Sequence, residues 1–146
     1  ALKNIYAIAA GVAEGLNLGE NAKSALISRS FAEMTRYAKK FKADKNTLFG
    51  LSGLGDLILT CSSKNSRNTQ FGIKLASSKY DNFLDLLKSQ EVTEGYYTVK
   101  AVYNISQKKN IDMPIMESVY NILYKQHDLK EELSNLLSRP ITEEKI

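Results

Sequence analysis

Apolar residues recur at helical spacing along almost the whole chain. Leu2, Ile5, Ile8, Ala9, Val12 and Leu16 follow a 3.6-residue period, which predicts a first helix from near the start to about Gly15. Gly15, Asn17 and Gly19 then predict a turn. A second helix is expected from Asn21, read as its N-cap, to about Phe41, with Ala22, Leu26, Ile27, Met34, Ala38 and Phe41 on its apolar face. A short helix from Asp44 to Phe49 and an apolar turn from Leu54 to about Thr60 come next. Ser66 is placed to cap a helix to about Ser77, and Phe83 to Leu87 mark another after Asp81. Tyr96, Val99, Val102, Tyr103 and Ile105 predict a helix from about Gly95 to Lys108. Pro114 suits the first turn of a helix to about Lys125, and Leu129 to Leu137 read as the last helix, stopped by Arg139 and Pro140. Sustained alternation is missing, so no strand is predicted. The pattern describes one all-α domain, a multi-helix bundle over residues 1–146.

Composition narrows the class. The chain has 146 residues, enough for one domain with a sizeable core. No apolar run reaches the roughly 18 residues of a membrane span, and no signal peptide is visible. Cys61 is the single cysteine, so no internal disulfide can form, which agrees with a cytoplasmic location. One Cys and one His, His127, leave no set of Cys and His ligands for zinc. Cys61 follows an apolar run and reads as a packed, inert thiol. The net charge of +4 admits a nucleic-acid or acidic partner, but the basic residues are dispersed. The densest cluster, Lys39, Lys40, Lys42 and Lys45, suits the negative end of a helix dipole better than a nucleic-acid patch.

Candidate chemistry concentrates between Gly50 and Asn68. Gly50, Gly53 and Gly55 give G-x-x-G-x-G, the reverse of the dinucleotide fingerprint, with no strand before it. These glycines are expected to make a tight connection between two short helices. Asp56, flanked by Leu54, Leu57, Ile58 and Leu59, is expected to be partly buried and therefore paired. Its simpler reading is a helix-start acid favoured by the dipole. Lys3, on an otherwise apolar helix, offers a partner; desolvated, it could exchange protons near neutrality, while its simpler reading is a side chain that reaches solvent. Ser66, Arg67 and Asn68 place a hydroxyl, a guanidinium and an amide at a helix start, where free N–H groups attract anions. An ordinary capped helix with a surface Arg is the alternative. Glu91 and Glu94 read as solvated acids at a helix start, and Tyr96, Tyr97, Tyr103, Tyr120 and Tyr124 as core or rim aromatics.

Together these pieces resemble the C-terminal, substrate-binding domain of bacterial-type NAD(P)-dependent glycerol-3-phosphate dehydrogenases. The matching segments are Ala1-Leu2-Lys3-Asn4, Gly11 to Asn21, Glu33-Met34-Thr35-Arg36, Gly50 to Cys61, Ser66-Arg67-Asn68, Val92-Thr93-Glu94-Gly95, Met113-Pro114-Ile115 and Leu136 to Pro140. The resemblance implies a fold like that of 6-phosphogluconate dehydrogenase C-terminal domains. It implies interconversion of dihydroxyacetone phosphate and sn-glycerol 3-phosphate with NAD or NADP, a step that feeds glycerophospholipid synthesis. It makes Lys3 the catalytic acid in reduction and the base in oxidation, with Asp56 orienting it. Asn4, Thr60, Ser66, Arg67 and Asn68 become substrate-site residues, and Arg67, Val92 and Glu94 become cofactor contacts. The family's N-terminal Rossmann domain is not in this sequence, so the chain alone is expected to be inactive. A homodimer is also implied. Two competing readings remain: another dehydrogenase with a similar helical domain, acting on a different small acid, and a non-catalytic helical interaction or basic nucleic-acid-binding module.

Overall fold

A computed structural model describes residues 2–41, 51–77 and 94–139, and these residues form seven helices and no strand. They are α1 (Leu2–Gly15), α2 (Glu20–Lys40), α3 (Leu51–Ser62), α4 (Arg67–Ser77), α5 (Glu94–Lys109), α6 (Pro114–Tyr124) and α7 (Leu129–Leu137). The expected helices at Asp44–Phe49 and Phe83–Leu87 lie outside the described residues, as do Lys42, Lys45 and Val92.

The centre of the bundle is α1. Every residue from Ile5 to Ala13 is buried, on all sides of the helix, because α2, α3, α4, α5 and α6 all pack against it. A helix that is apolar all round is a core helix, and the one-faced stripe read from Leu2 to Leu16 understates this. The tightest packing is with α4. A Cβ on Gly11 would overlap the Thr69 carbonyl oxygen, and one on Gly72 would overlap the Ile8 carbonyl oxygen and stand 2.8 Å from the Val12 nitrogen. The two backbones therefore touch, which only glycine at the crossing permits. Farther along, Gly15 meets Ile73 and Ala76. Asn4 and Ile8 lie beside Gly95, and Gly95 is hydrogen-bonded to Asn68. The contacts advance together along both helices, so α1 and α4 run parallel. Their N-termini lie at one end of the bundle, with the start of α5.

Two predicted features change. The second helix starts at Glu20 after Gly19, at φ 91°, with no side-chain cap, so Asn21 is not its N-cap. Asn17, at φ 57°, and Gly19 supply the left-handed turn instead. The glycines Gly53 and Gly55 do not connect two short helices; both lie inside the continuous 12-residue α3.

The long helix α2 carries two buried ionisable side chains one turn apart. Glu33 Oε1 accepts from the Ile115 backbone N–H at 2.7 Å and Oε2 from that of Met116 at 3.1 Å, so its carboxyl caps the start of α6. Arg29 donates to the carbonyls of Leu136 at 3.0 Å and Arg139 at 2.8 Å, at and beyond the end of α7. The Glu33 oxygens satisfy two N–H groups that the start of α6 leaves free, and the Arg29 cation complements the dipole at the end of α7. Burial pushes the Glu33 carboxyl up to about 8, against the pull of the two N–H donors, the Tyr6 hydroxyl and Arg36. Between α5 and α6, Tyr103 stacks on Tyr120 at 3.8 Å, Tyr120 on Tyr124 at 5.1 Å and Tyr124 on Tyr96 at 4.7 Å. This rim of tyrosines joins α5 to α6, as the aromatic reading expected.

Candidate functional site

The shared N-terminal end of α1, α4 and α5 gathers most of the residues singled out in the sequence. Lys3 sits in the first turn of α1, and its Nζ lies 3.6 Å from Asp56 Oδ2 on α3. The pairing expected from sequence is therefore present, but its setting is not the expected one. The Asp56 side chain is 62% exposed and that of Lys3 45% exposed. The reason is helical periodicity. Leu57 and Cys61, four residues apart, face the core, which turns Asp56, Ile58 and Leu59 outward. Asp56 is thus not a buried acid, and the described residues do not desolvate Lys3. Nor is Asp56 a helix-start acid, since it is the sixth residue of α3. An exposed pair contributes only about 0–1 kcal/mol to stability, so stability alone gives little reason for this pair.

The second cluster is the start of α4. The Ser66 hydroxyl accepts from the Thr69 N–H at 3.4 Å, which is the predicted N-cap with a long bond. The backbone N–H groups of Arg67 and Asn68, in the first turn, have no partner among the described residues. Arg67 is exposed, so its guanidinium and these N–H groups form an accessible cationic end. Thr60, half-buried near the end of α3, accepts from the Thr69 hydroxyl at 3.2 Å and ties α3 to α4. Cys61 beside it is buried, and burial pushes its thiol up to about 12, as an inert packed residue requires.

Asn68 carries a contact that the sequence did not foreshadow. It is buried, and its Oδ1 accepts from the Gly95 N–H at 3.1 Å. Its oxygen is thereby committed to the start of α5, next to the exposed Glu94. Asn4 is half-buried, and its carbonyl oxygen would stand 3.1 Å from a Cβ on Gly95. The structure thus brings Lys3, Asn4, Asp56, Asn68, Arg67 and Glu94 to one end of the bundle. Val92, two residues before Glu94, lies outside the described residues. Sequence reasoning overlooked Gly95 as a contact point. The signal lay in its place immediately after Glu94, at a helix start where glycine is unusual.

The set is suited to a small anionic ligand beside a proton donor. Arg67 and the α4 start attract an anion, while Lys3 presents three N–H donors next to a carboxylate. Arg67 and Glu94 flank the Asn68–Gly95 bond and offer polar groups to a larger cofactor. Among the described residues, no cluster of three or more His, Cys, Asp or Glu side chains is arranged to hold a metal ion, and no helix is long and apolar enough to cross a membrane.

Comparison with known proteins places the chain in a family. Residues 1–134 match the family described as NAD-dependent glycerol-3-phosphate dehydrogenase C-terminus. A glycerol-3-phosphate dehydrogenase [NAD(P)+] of Solidesulfovibrio magneticus is 47% identical over 145 residues, 99% of this chain and 43% of that protein. One from Staphylococcus carnosus is 44% identical over 140 residues, 95% of this chain and 42% of that protein. Among solved structures, a glycerol-3-phosphate dehydrogenase from Coxiella burnetii superposes with a TM-score of 0.82 at 40% identity, covering 94% of this chain and 42% of that one. A yeast glycerol-3-phosphate dehydrogenase gives 0.81 at 28% identity, over 95% of this chain and 40% of that one. The chain therefore spans less than half the length of the relatives it matches.

Proposed function

Because this chain belongs to the family of NAD-dependent glycerol-3-phosphate dehydrogenase C-terminal domains, we propose that it forms the substrate-binding half of an enzyme interconverting dihydroxyacetone phosphate and sn-glycerol 3-phosphate. The observation that carries this reading is the convergence of the Lys3–Asp56 pair and the Arg67 helix start at one end of parallel helices. A proton donor and an anion anchor at one end of the bundle suit a small phosphorylated ketone.

When bound, NAD(P)H would supply the hydride for the ketone carbon. Negative charge then builds on the carbonyl oxygen. Lys3 stabilises that charge with its ammonium group and donates a proton from Nζ. In the reverse direction Lys3 accepts the hydroxyl proton. Asp56, 3.6 Å away, orients Lys3 toward the reacting oxygen. Arg67 and the N–H groups of the first α4 turn hold the phosphate, with Ser66 and Thr60 fixing that turn. Binding energy gathered at the phosphate, remote from the reacting carbon, keeps the carbonyl in line with Lys3. Asn4 supports the site from α1. Glu94, Val92 and Arg67 would hold the dinucleotide, a role that suits the polar, exposed Glu94 and Arg67.

A Rossmann-type domain supplies the remaining cofactor contacts, and the enzyme works in the cytoplasm as a homodimer. Its product is the backbone for glycerophospholipid synthesis. The decisive test is NADH oxidation with dihydroxyacetone phosphate, followed at 340 nm. In the full-length protein Lys3→Ala should lower kcat by at least about 100-fold, and Arg67→Ala should mainly raise KM for the phosphate substrate. Unchanged turnover in Lys3→Ala and Asp56→Asn would sink the reading in favour of a non-catalytic interaction module. This chain alone should show no turnover, and measurable oxidation by it would refute the need for a second domain.

A further inference from the structure

The strongest unassigned feature at the site is the hydrogen bond between Asn68 and Gly95. Gly95 is the second residue of α5, so its N–H is one of the donors that a helix start leaves without an intrahelical partner. Such donors usually bond to the helix's own N-cap side chain. Here the acceptor is the Asn68 Oδ1 on α4, 27 residues away in sequence and buried. The start of α5 thus takes its register from the helix start that carries Arg67.

Surrounding atoms crowd this contact. A Cβ on Gly95 would stand 2.6 Å from Ile8 Cδ1, 2.7 Å from Asn68 Oδ1 and 3.1 Å from the Asn4 carbonyl oxygen. Atoms from α1 and α4 close on Gly95 together, so a side chain there would have to displace the Ile8 and Asn68 side-chain ends. The bond also settles the orientation of the amide. An N–H must meet an oxygen, so Oδ1 faces Gly95 and Nδ2 takes the opposite edge of the carboxamide. Nδ2 has no partner among the described residues, which leaves its two N–H donors for a ligand.

We infer that Asn68 is a positioning residue for the dinucleotide. Through Oδ1 it fixes Gly95, and with it Glu94, relative to the Arg67 helix start, while Nδ2 serves the anion. The two ends of one carboxamide thereby couple cofactor placement to substrate placement. This inference rests on the reading that Arg67 holds the substrate phosphate and Glu94 meets the dinucleotide.

The two ends separate by substitution in the full-length dehydrogenase. Asn68→Asp keeps an oxygen for the Gly95 N–H and removes the donor. Asn68→Ala removes both and leaves the N–H buried without a partner. Binding of NADH is measured by its fluorescence and KM for dihydroxyacetone phosphate by turnover. In Asn68→Ala both constants should rise about tenfold or more. In Asn68→Asp the substrate KM should rise similarly while NADH binding stays within about twofold of the parent. Equal losses of NADH binding in the two variants, or no loss in either, would overturn the inference.

A second measurement guards against poor folding of Asn68→Ala. Gly95→Ala alone clashes with both Ile8 and Asn68, whereas in Ile8→Val/Gly95→Ala the Ile8 Cδ1 is gone and the Asn68 clash persists. Weak NADH binding should therefore survive in the double variant. Full recovery there would show that Gly95 only packs against Ile8, and the inference would fall. Arg67→Ala, run alongside, separates the two levels. If it leaves both constants unchanged, the functional reading itself is wrong. If it alone raises the substrate KM, only the coupling through Asn68 is refuted.

Discussion

Replacing Glu33 by Gln should make the pH dependence of stability cross that of the parent chain. Glu33 is fully buried, and its two oxygens accept from the Ile115 and Met116 N–H groups. Gln keeps the shape and one acceptor but turns an NH2 toward the second N–H. Leaving one buried donor unmatched costs about 1–3 kcal/mol. The parent carries a different penalty. Its carboxyl is pushed from 4.5 to about 8, chiefly by burial, so the folded chain holds this proton where the unfolded chain has released it. The sign follows directly. Stability linked to Glu33 is fully present below pH 4.5 and is lost as pH rises through about 8. At about 1.4 kcal/mol per pH unit, the full rise corresponds to roughly 5 kcal/mol, and most of it falls between pH 5 and pH 9. Gln cannot ionise and escapes that loss. Tyr6, which faces Glu33, stays neutral over the range because burial pushes its hydroxyl well above the usual tyrosine range. Urea unfolding followed by far-UV circular dichroism at pH 5, 7 and 9 measures the difference. Glu33→Gln should be less stable at pH 5 and as stable as the parent, or more so, at pH 9. Parallel profiles, with a constant gap across that range, would show that Glu33 is ionised at the α6 start throughout and would refute the argument.

Other expectations rest on single contacts. Gly72→Ala drives a methyl group into the α1 backbone and should lower stability by at least about 2 kcal/mol; an unchanged urea midpoint would contradict the close α1–α4 crossing. Arg29→Ala strips the α7 end of charged donors and should cost about 2–4 kcal/mol, with Arg29→Lys recovering only part because an ammonium lacks the planar fork. Cys61, with its thiol pushed up to about 12, should resist an aromatic disulfide reagent at pH 8 in the folded chain and react promptly in urea.

The limits of the sequence reading have a physical pattern. Helix ends set by local chemistry were legible: Gly15 closes α1, Ser66 caps α4, Pro114 opens α6 and Leu137 closes α7. So was the pairing of Lys3 with Asp56, because each looked out of place among apolar residues. Burial was less legible, since neighbours in sequence are not neighbours around a helix. Asp56 sits among four apolar residues, yet the core-facing turn of Leu57 and Cys61 leaves it outside. Long-range polar contacts left no local trace. Glu33 meets Ile115 across 82 positions and Asn68 meets Gly95 across 27. Both Glu33 and Ile115 fell in segments that matched the family, but nothing in either segment announced the other.

The pair of buried caps on α2 also bears on how the bundle comes apart. Helix ends ordinarily fray one by one, and amide exchange at one terminus reports little about another. Here the first turn of α6 and the last turn of α7 are both held by side chains of α2, one turn apart on the same helix. Undocking α2 releases both ends in a single event. The amides of Ile115 and Met116 should therefore exchange with one common opening free energy, shared with the body of α2, and slow exchange at α6 becomes a gauge of whether α2 is seated.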